Sequence, residues 1–147
     1  QVVQAQLKRA GIDLVIDLVD HQTFHAQIRQ NLSGIIHYSA ARFPVADIYL
    51  TQFYHSRSIV QTPTAVTNFS HCKVADEEID AARIETDPAK QKALWGAAQR
   101  KIIDEVCAVA LTESLSVWAR RSNVDYGYKP EGFLNLGPML TEASTIN

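Results

Sequence analysis

Between residues 2 and 41 the spacing of apolar side chains changes period three times, and that alternation narrows the folds open to the chain. "VVQAQLKRA" sets Val3, Leu7 and Ala10 on one helical stripe. Gly11 follows, where a left-handed helix cap belongs. "IDLVIDLVD" then switches to period two, with Ile12, Leu14, Ile16 and Leu18 set against Asp13, Val15, Asp17 and Val19. Such alternation of branched side chains predicts a strand. "TFHAQIRQNL" returns to helical spacing through Phe24, Ile28 and Leu32, and "SGIIHYS" gives a short apolar run after a glycine, a second strand. Helix, strand, helix, strand with short joints predicts an α/β fold, an open mixed sheet flanked by helices.

Further along, "VADIYLTQFYH" predicts a helix from about Ala46, with Ile48, Leu50, Phe53 and Tyr54 mostly inward. "SRSIVQTPTAVTNFSHCK" holds no sustained period and is expected to run as a long surface excursion. Two amphipathic helices follow. Ala75, Ile79, Ala82 and Thr86 form one stripe, Leu94, Ala98, Ile102 and Val106 the other, and the two should pack as a pair. Between them Asp87 suits an N-cap, and Pro88 suits the first helical position, where its missing N–H costs nothing. "CAVALTESLSVWARR" reads as extended, and a hairpin is expected around "DYGYKPEG".

Length and charge exclude several functions. At 147 residues with 46% hydrophobic content, the chain can bury a core of about one domain. Fourteen Lys and Arg against sixteen Asp and Glu leave no positive excess to neutralise phosphates, so no nucleic acid is expected as a partner. No apolar run reaches the ~18 residues that cross a bilayer. The chain starts at Gln1 without the basic-then-apolar pattern of a signal peptide, as a processed protein or an excised piece would. Cys72 and Cys107 lack a CxxC spacing; two partly buried thiols are the plain reading, and a disulfide in an oxidising compartment is the alternative.

Site chemistry is sparse. Six glycines form neither a GxGxxG nor a GxxxxGK[ST] loop, so nucleotide cofactors are not expected. His55 and Ser56 adjoin without a nucleophile elbow. His21 and His25 stand four apart, as two metal ligands on a helix would, and a metal-dependent hydrolase would need a third from His37, His55 or His71. The plainer reading is solvated imidazoles. Asp76, Glu77, Glu78 and Asp80 read as a solvated helix start that complements the helix dipole, and Arg120 and Arg121 as surface. Tyr38, Arg42, Phe43 and Asp47 follow the second strand. In an open α/β sheet, ligands bind beyond the carboxyl ends of strands, against a plain reading of an ordinary loop.

The segments "QAQLKRAGIDLVIDLVDHQTFHAQIRQ", "YSAARFPVADIYLTQFYHS", "NFSH", "IDAARIETDPAKQKALWGAAQRKI" and "AVALTESLSVW" resemble, in order from about residue 4 to 121, the C-terminal half of family 5 extracellular solute-binding proteins. These are the dipeptide, oligopeptide and nickel receptors of ABC importers. The resemblance implies a non-enzymatic lobe of a hinged, type II periplasmic-binding clamshell. Residues 1–121 would form the C-terminal lobe, and 122–147 an extension returning towards the hinge or the other lobe. It implies as partners a peptide or other small polar solute, an ABC permease in the inner membrane and the N-terminal lobe of the same parent chain. It implies a periplasmic or lipid-anchored location and no cofactor. The family's cleft strand and turn fall on Tyr38, Ser39, Ala40, Ala41, Arg42 and Phe43, which become the ligand-binding candidates. His37 to Ala41 would line the cleft by backbone, with Tyr38 and Phe43 as apolar walls. Where peptide receptors carry an aspartate for the ligand's ammonium group, this sequence has Arg42. A guanidinium there disfavours an ammonium group by several kcal/mol at an effective dielectric of about 20, and suits a carboxylate or phosphate. "EVCAVAL" departs from the prolines common in the family at that point.

Overall fold

The computed structural model describes residues 1–40, 45–62, 67–113, 117, 119–129 and 138–146. Its helices are α1 Val2–Arg9, α2 His21–Arg29, α3 Ala46–Tyr54, α4 Asp76–Ile84 and α5 Pro88–Asp104, with a 3₁₀ turn at Ser56–Ser58. Strands β1 Val124–Asp125 and β2 Thr145–Ile146 pair antiparallel, Val124 opposite Ile146.

α4 and α5 form the centre of the core, as their stripes predict. Ala75, just before α4, Ala82 on α4 and Ala98 on α5 are wholly enclosed. Side chains this small let backbones approach closely, and Ile79, Ile102 and Leu50 of α3 fill the space between. Trp95, Val74, Ala46 and Tyr54 pack around this centre, where burial pushes the Tyr54 hydroxyl's pKa up. α5 starts as expected: Asp87 Oδ1 accepts the N–H groups of Ala89 (2.8 Å) and Lys90 (3.1 Å), with Pro88 at the first turn.

Three of the helices end on a residue with left-handed backbone. Gly11 (φ 80°) closes α1, its N–H donating to Lys8 and that of Ile12 to Leu7. Asn31 (φ 56°) closes α2 and donates to Ile28. Val106 (φ 52°) closes α5, donating to Ile103 while Cys107 donates to Ile102. Val106 therefore leaves the apolar stripe assigned to it and is 67% exposed. The turn instead aims Cys107 at the core, where it is bonded to Cys72, so the reading of two separate thiols gives way to the disulfide.

In its described part, residues 56–62 and 67–73, the segment after α3 is not a surface excursion. Val60, Asn68 and Cys72 are buried, and Ile59 bridges Asn68. Asn68 is the organising residue. Its side-chain amide donates to the carbonyls of His55 (2.9 Å) and Cys72 (2.7 Å), and its oxygen accepts from Cys72 N–H and Ser70 Oγ. The same strap holds the end of α2 through Gln61 Nε2 to the Gln30 carbonyl (3.1 Å) and His71 to Asn31 (3.2 Å).

Strand formation differs from expectation in place. Residues 12–19 and 35–40, and the described part of 107–117, form no β ladder among the described residues. Their apolar side chains stand out instead: Val15 is 89%, Leu18 92% and Val117 87% exposed. The second half of the hairpin expected around "DYGYKPEG", residues 130–132, lies outside the described residues; residues 124–125 pair with 145–146. Gly127 permits this pairing. At φ +75° it lies so near Ala143 that an added Cβ would sit 2.7 Å from that residue's own Cβ.

Candidate functional site

The ligand-binding candidates lie where the chain leaves α2 and enters α3. α2 is started by Asp20, whose Oδ1 accepts from Gln22 and Thr23 N–H and whose Oδ2 takes the Thr23 hydroxyl at 2.6 Å. Those bonds, the hydroxyl's first, hold its carboxyl below the usual range. α2 presents Phe24 and His25 to Tyr38. The Tyr38 ring stacks on Phe24 (6.1 Å between centroids, 23°) and meets Phe53 at 5.5 Å and Phe69 at 5.4 Å. His25 stands edge-on to it at 6.3 Å. Ser39 and Ala40, the next two residues, are exposed. Ala41, Arg42 and Phe43 lie outside the described residues.

Asp47 makes a helix-to-helix contact: its carboxylate accepts from the Thr51 hydroxyl (2.6 Å) and faces Arg83 Nε of α4 at 3.2 Å.

The five imidazoles do not converge. His21 and His25 are adjacent, with ring centroids 4.5 Å apart, while His37 is exposed and His71 is engaged by Asn31. His55 is buried against α4: its Nδ1 accepts the Arg57 N–H at 3.0 Å, which places the proton on Nε2, directed at Asp80 Oδ2 3.3 Å away. Among the described residues no group of three His, Cys, Asp or Glu is arranged to hold a metal ion.

The acidic run that opens α4 is more than a solvated helix start. Asp76 accepts the Ser56 N–H at 2.9 Å, Asp80 faces His55, Arg57 and Arg83, and Glu78 binds Lys101 of α5 at 2.7 Å. The Lys101 hydrogen bond lowers the Glu78 carboxyl's pKa, and the reciprocal bond raises that of Lys101. These residues lock α3, α4 and α5 together. Nothing in the sequence singles out Asn68, because an asparagine in a loop ordinarily signals only a turn. Arg120 lies over the Tyr126 ring at 5.9 Å.

No protein-family profile and no curated protein matches the chain. Among solved structures it is similar to the PBP/SBP MoaA, a solute-binding protein from A.tumefacien R10, in complex with mannopinic acid. The two are 49% identical with a TM-score of 0.84, over 99% of this chain and 29% of that one. The chain thus spans less than a third of the length of the protein it matches. Its fold class is that of a portion of a solute-binding protein of type II-like fold, helices with a small sheet.

Proposed function

We propose that this chain is the C-terminal-lobe portion, residues 1–121 with an extension at 122–147, of the substrate-binding component of an ABC importer of the family 5 type. In this reading it captures a small polar solute in an interlobe cleft and delivers it to a membrane permease. One observation carries the reading: 49% identity over 99% of the chain to a solute-binding protein captured with its solute. The bare apolar segments support a larger parent chain, because Val15, Leu18 and Val117 at 87–92% exposure are the residues that neighbouring strands ordinarily cover. The Cys72–Cys107 disulfide supports a location outside the cytoplasm, where oxidising conditions keep such bonds.

The solute contacts assigned in this proposal are residues 38–43, with Arg42 as the selective group. A guanidinium recognises carboxylates by paired, charge-assisted hydrogen bonds, and MoaA is in complex with an acid. A solute bearing a carboxylate is therefore favoured over a peptide held by its amino terminus. Calorimetric titration of the full-length parent protein with mannopinic acid and a panel of neutral and cationic peptides tests this. The acid should bind, and Arg42→Ala should weaken it by roughly 1.5–3 kcal/mol, the worth of hydrogen bonds to a charged group. Tight peptide binding, unaffected by Arg42→Ala, would sink the selectivity role.

A further inference from the structure

We infer that Tyr38 is a positioning residue: its ring acts as an anchor that fixes the backbone of the adjoining Ser39 and Ala40 from within the protein. The inference rests on the solute-binding reading above and changes what Tyr38 does in it, from a wall touching solute to a support behind the residues that do.

The rings around Tyr38 come from three separate places in the fold. Phe24 and His25 belong to α2, Phe53 to α3 and Phe69 to the strap that follows the 3₁₀ turn. Phe53 and Phe69 also contact one another at 6.5 Å, so the socket is continuous. Tyr38 itself is half-buried, whereas Ser39 and Ala40 immediately after it are exposed. A side chain held on several sides by rings has little surface left for a ligand, while the exposed pair beside it presents backbone groups and small side chains to whatever approaches.

The three supporting elements are themselves fixed. α2 is capped by Asp20 and tied at its other end to Gln61 and His71. The strap is held by Asn68, next in sequence to Phe69, and α3 contributes Leu50 to the core. The anchor thus connects the exposed Ser39 and Ala40 to rigid parts of the fold, which is how a binding site is kept near one geometry before the ligand arrives. None of the socket residues belongs to the buried α3–α4–α5 cluster, so removing the ring should leave that core in place.

The test compares Tyr38→Ala, Tyr38→Phe and Phe69→Ala with the wild type by ¹⁵N relaxation. In the wild type and in Tyr38→Phe, the Ser39 and Ala40 amides should have order parameters near the rigid value of about 0.85; in Tyr38→Ala and Phe69→Ala they should fall towards 0.6, with α4 and α5 unchanged. In the full-length parent, Tyr38→Ala and Phe69→Ala should each weaken mannopinic acid by about tenfold, and Tyr38→Phe by less than about twofold. Order parameters at Ser39 and Ala40 that are low in the wild type, unmoved by Tyr38→Ala, or lost equally across α4 and α5 would overturn the inference. So would a binding loss in Tyr38→Ala that Phe69→Ala does not reproduce, since that pattern belongs to a ring touching solute. A wild-type parent that takes up no mannopinic acid would count against the functional reading, and the order parameters would still decide the anchor.

Discussion

Asn68 and Val106 are the residues whose environments depart furthest from what their types ordinarily signal. Asn68 is fully buried and uses all its side-chain hydrogen-bonding groups to join His55, Ser70 and Cys72. Truncating it takes the bonding partner from the carbonyl and the N–H of buried Cys72, each costing about 1–3 kcal/mol, while the His55 carbonyl keeps the N–H of Ser58. Asn68→Ala is therefore expected to lower stability by roughly 3 kcal/mol in urea unfolding, and Asn68→Asp by more at neutral pH, because a carboxylate would face two carbonyl oxygens. A loss under about 1 kcal/mol for Asn68→Ala would show that the strap does not depend on it. None of this was legible in "TNFSH". The partners sit up to 13 residues away, and only the fold brings them to one point.

At the scale of elements, helix starts were readable and helix ends only partly so. Asp87 and Pro88 announce α5, because an oxygen acceptor one residue before a proline satisfies local requirements that no tertiary contact alters. Gly11 announces the end of α1 for the same reason. Val106 does not announce the end of α5: a β-branched residue in left-handed backbone is disfavoured by about 1–2 kcal/mol. It stays there because Cys107 must turn back to reach Cys72. Val106→Gly is expected to raise stability by about 1 kcal/mol, read as a higher denaturant midpoint with unchanged slope; a lower midpoint would mean that Val106 makes a contact outweighing its backbone cost. The strand reading at 12–19 rests on period two and that of "SGIIHYS" on a short apolar run after a glycine, and such patterns report only what a segment would bury. They do not supply the neighbouring strand, and among the described residues none lies beside 12–19 or 35–40.

Across the whole molecule, the disulfide and the α3–α4–α5 cluster hold together what the bare segments leave open. Cys72 and Cys107 are 35 residues apart in sequence, and closing a loop of that length restrains the unfolded chain by about 4 kcal/mol in the chain-entropy treatment. Reduction, or Cys107→Ser, should lower stability by 2–4 kcal/mol. A melting temperature indifferent to reductant would mean that the core alone suffices. By itself the sequence determined the five helices, the pairing of α4 with α5 and the class of protein the chain resembles, because helical periodicity, caps and ordered motifs are local properties of a chain. Only the tertiary structure decided that the two cysteines join, that Asp47 and the acidic run tie helices together, that Asn68 is a hub and that Tyr38 sits among the rings of three elements. Each of these depends on contacts between residues distant in sequence, whose geometry no local spacing encodes.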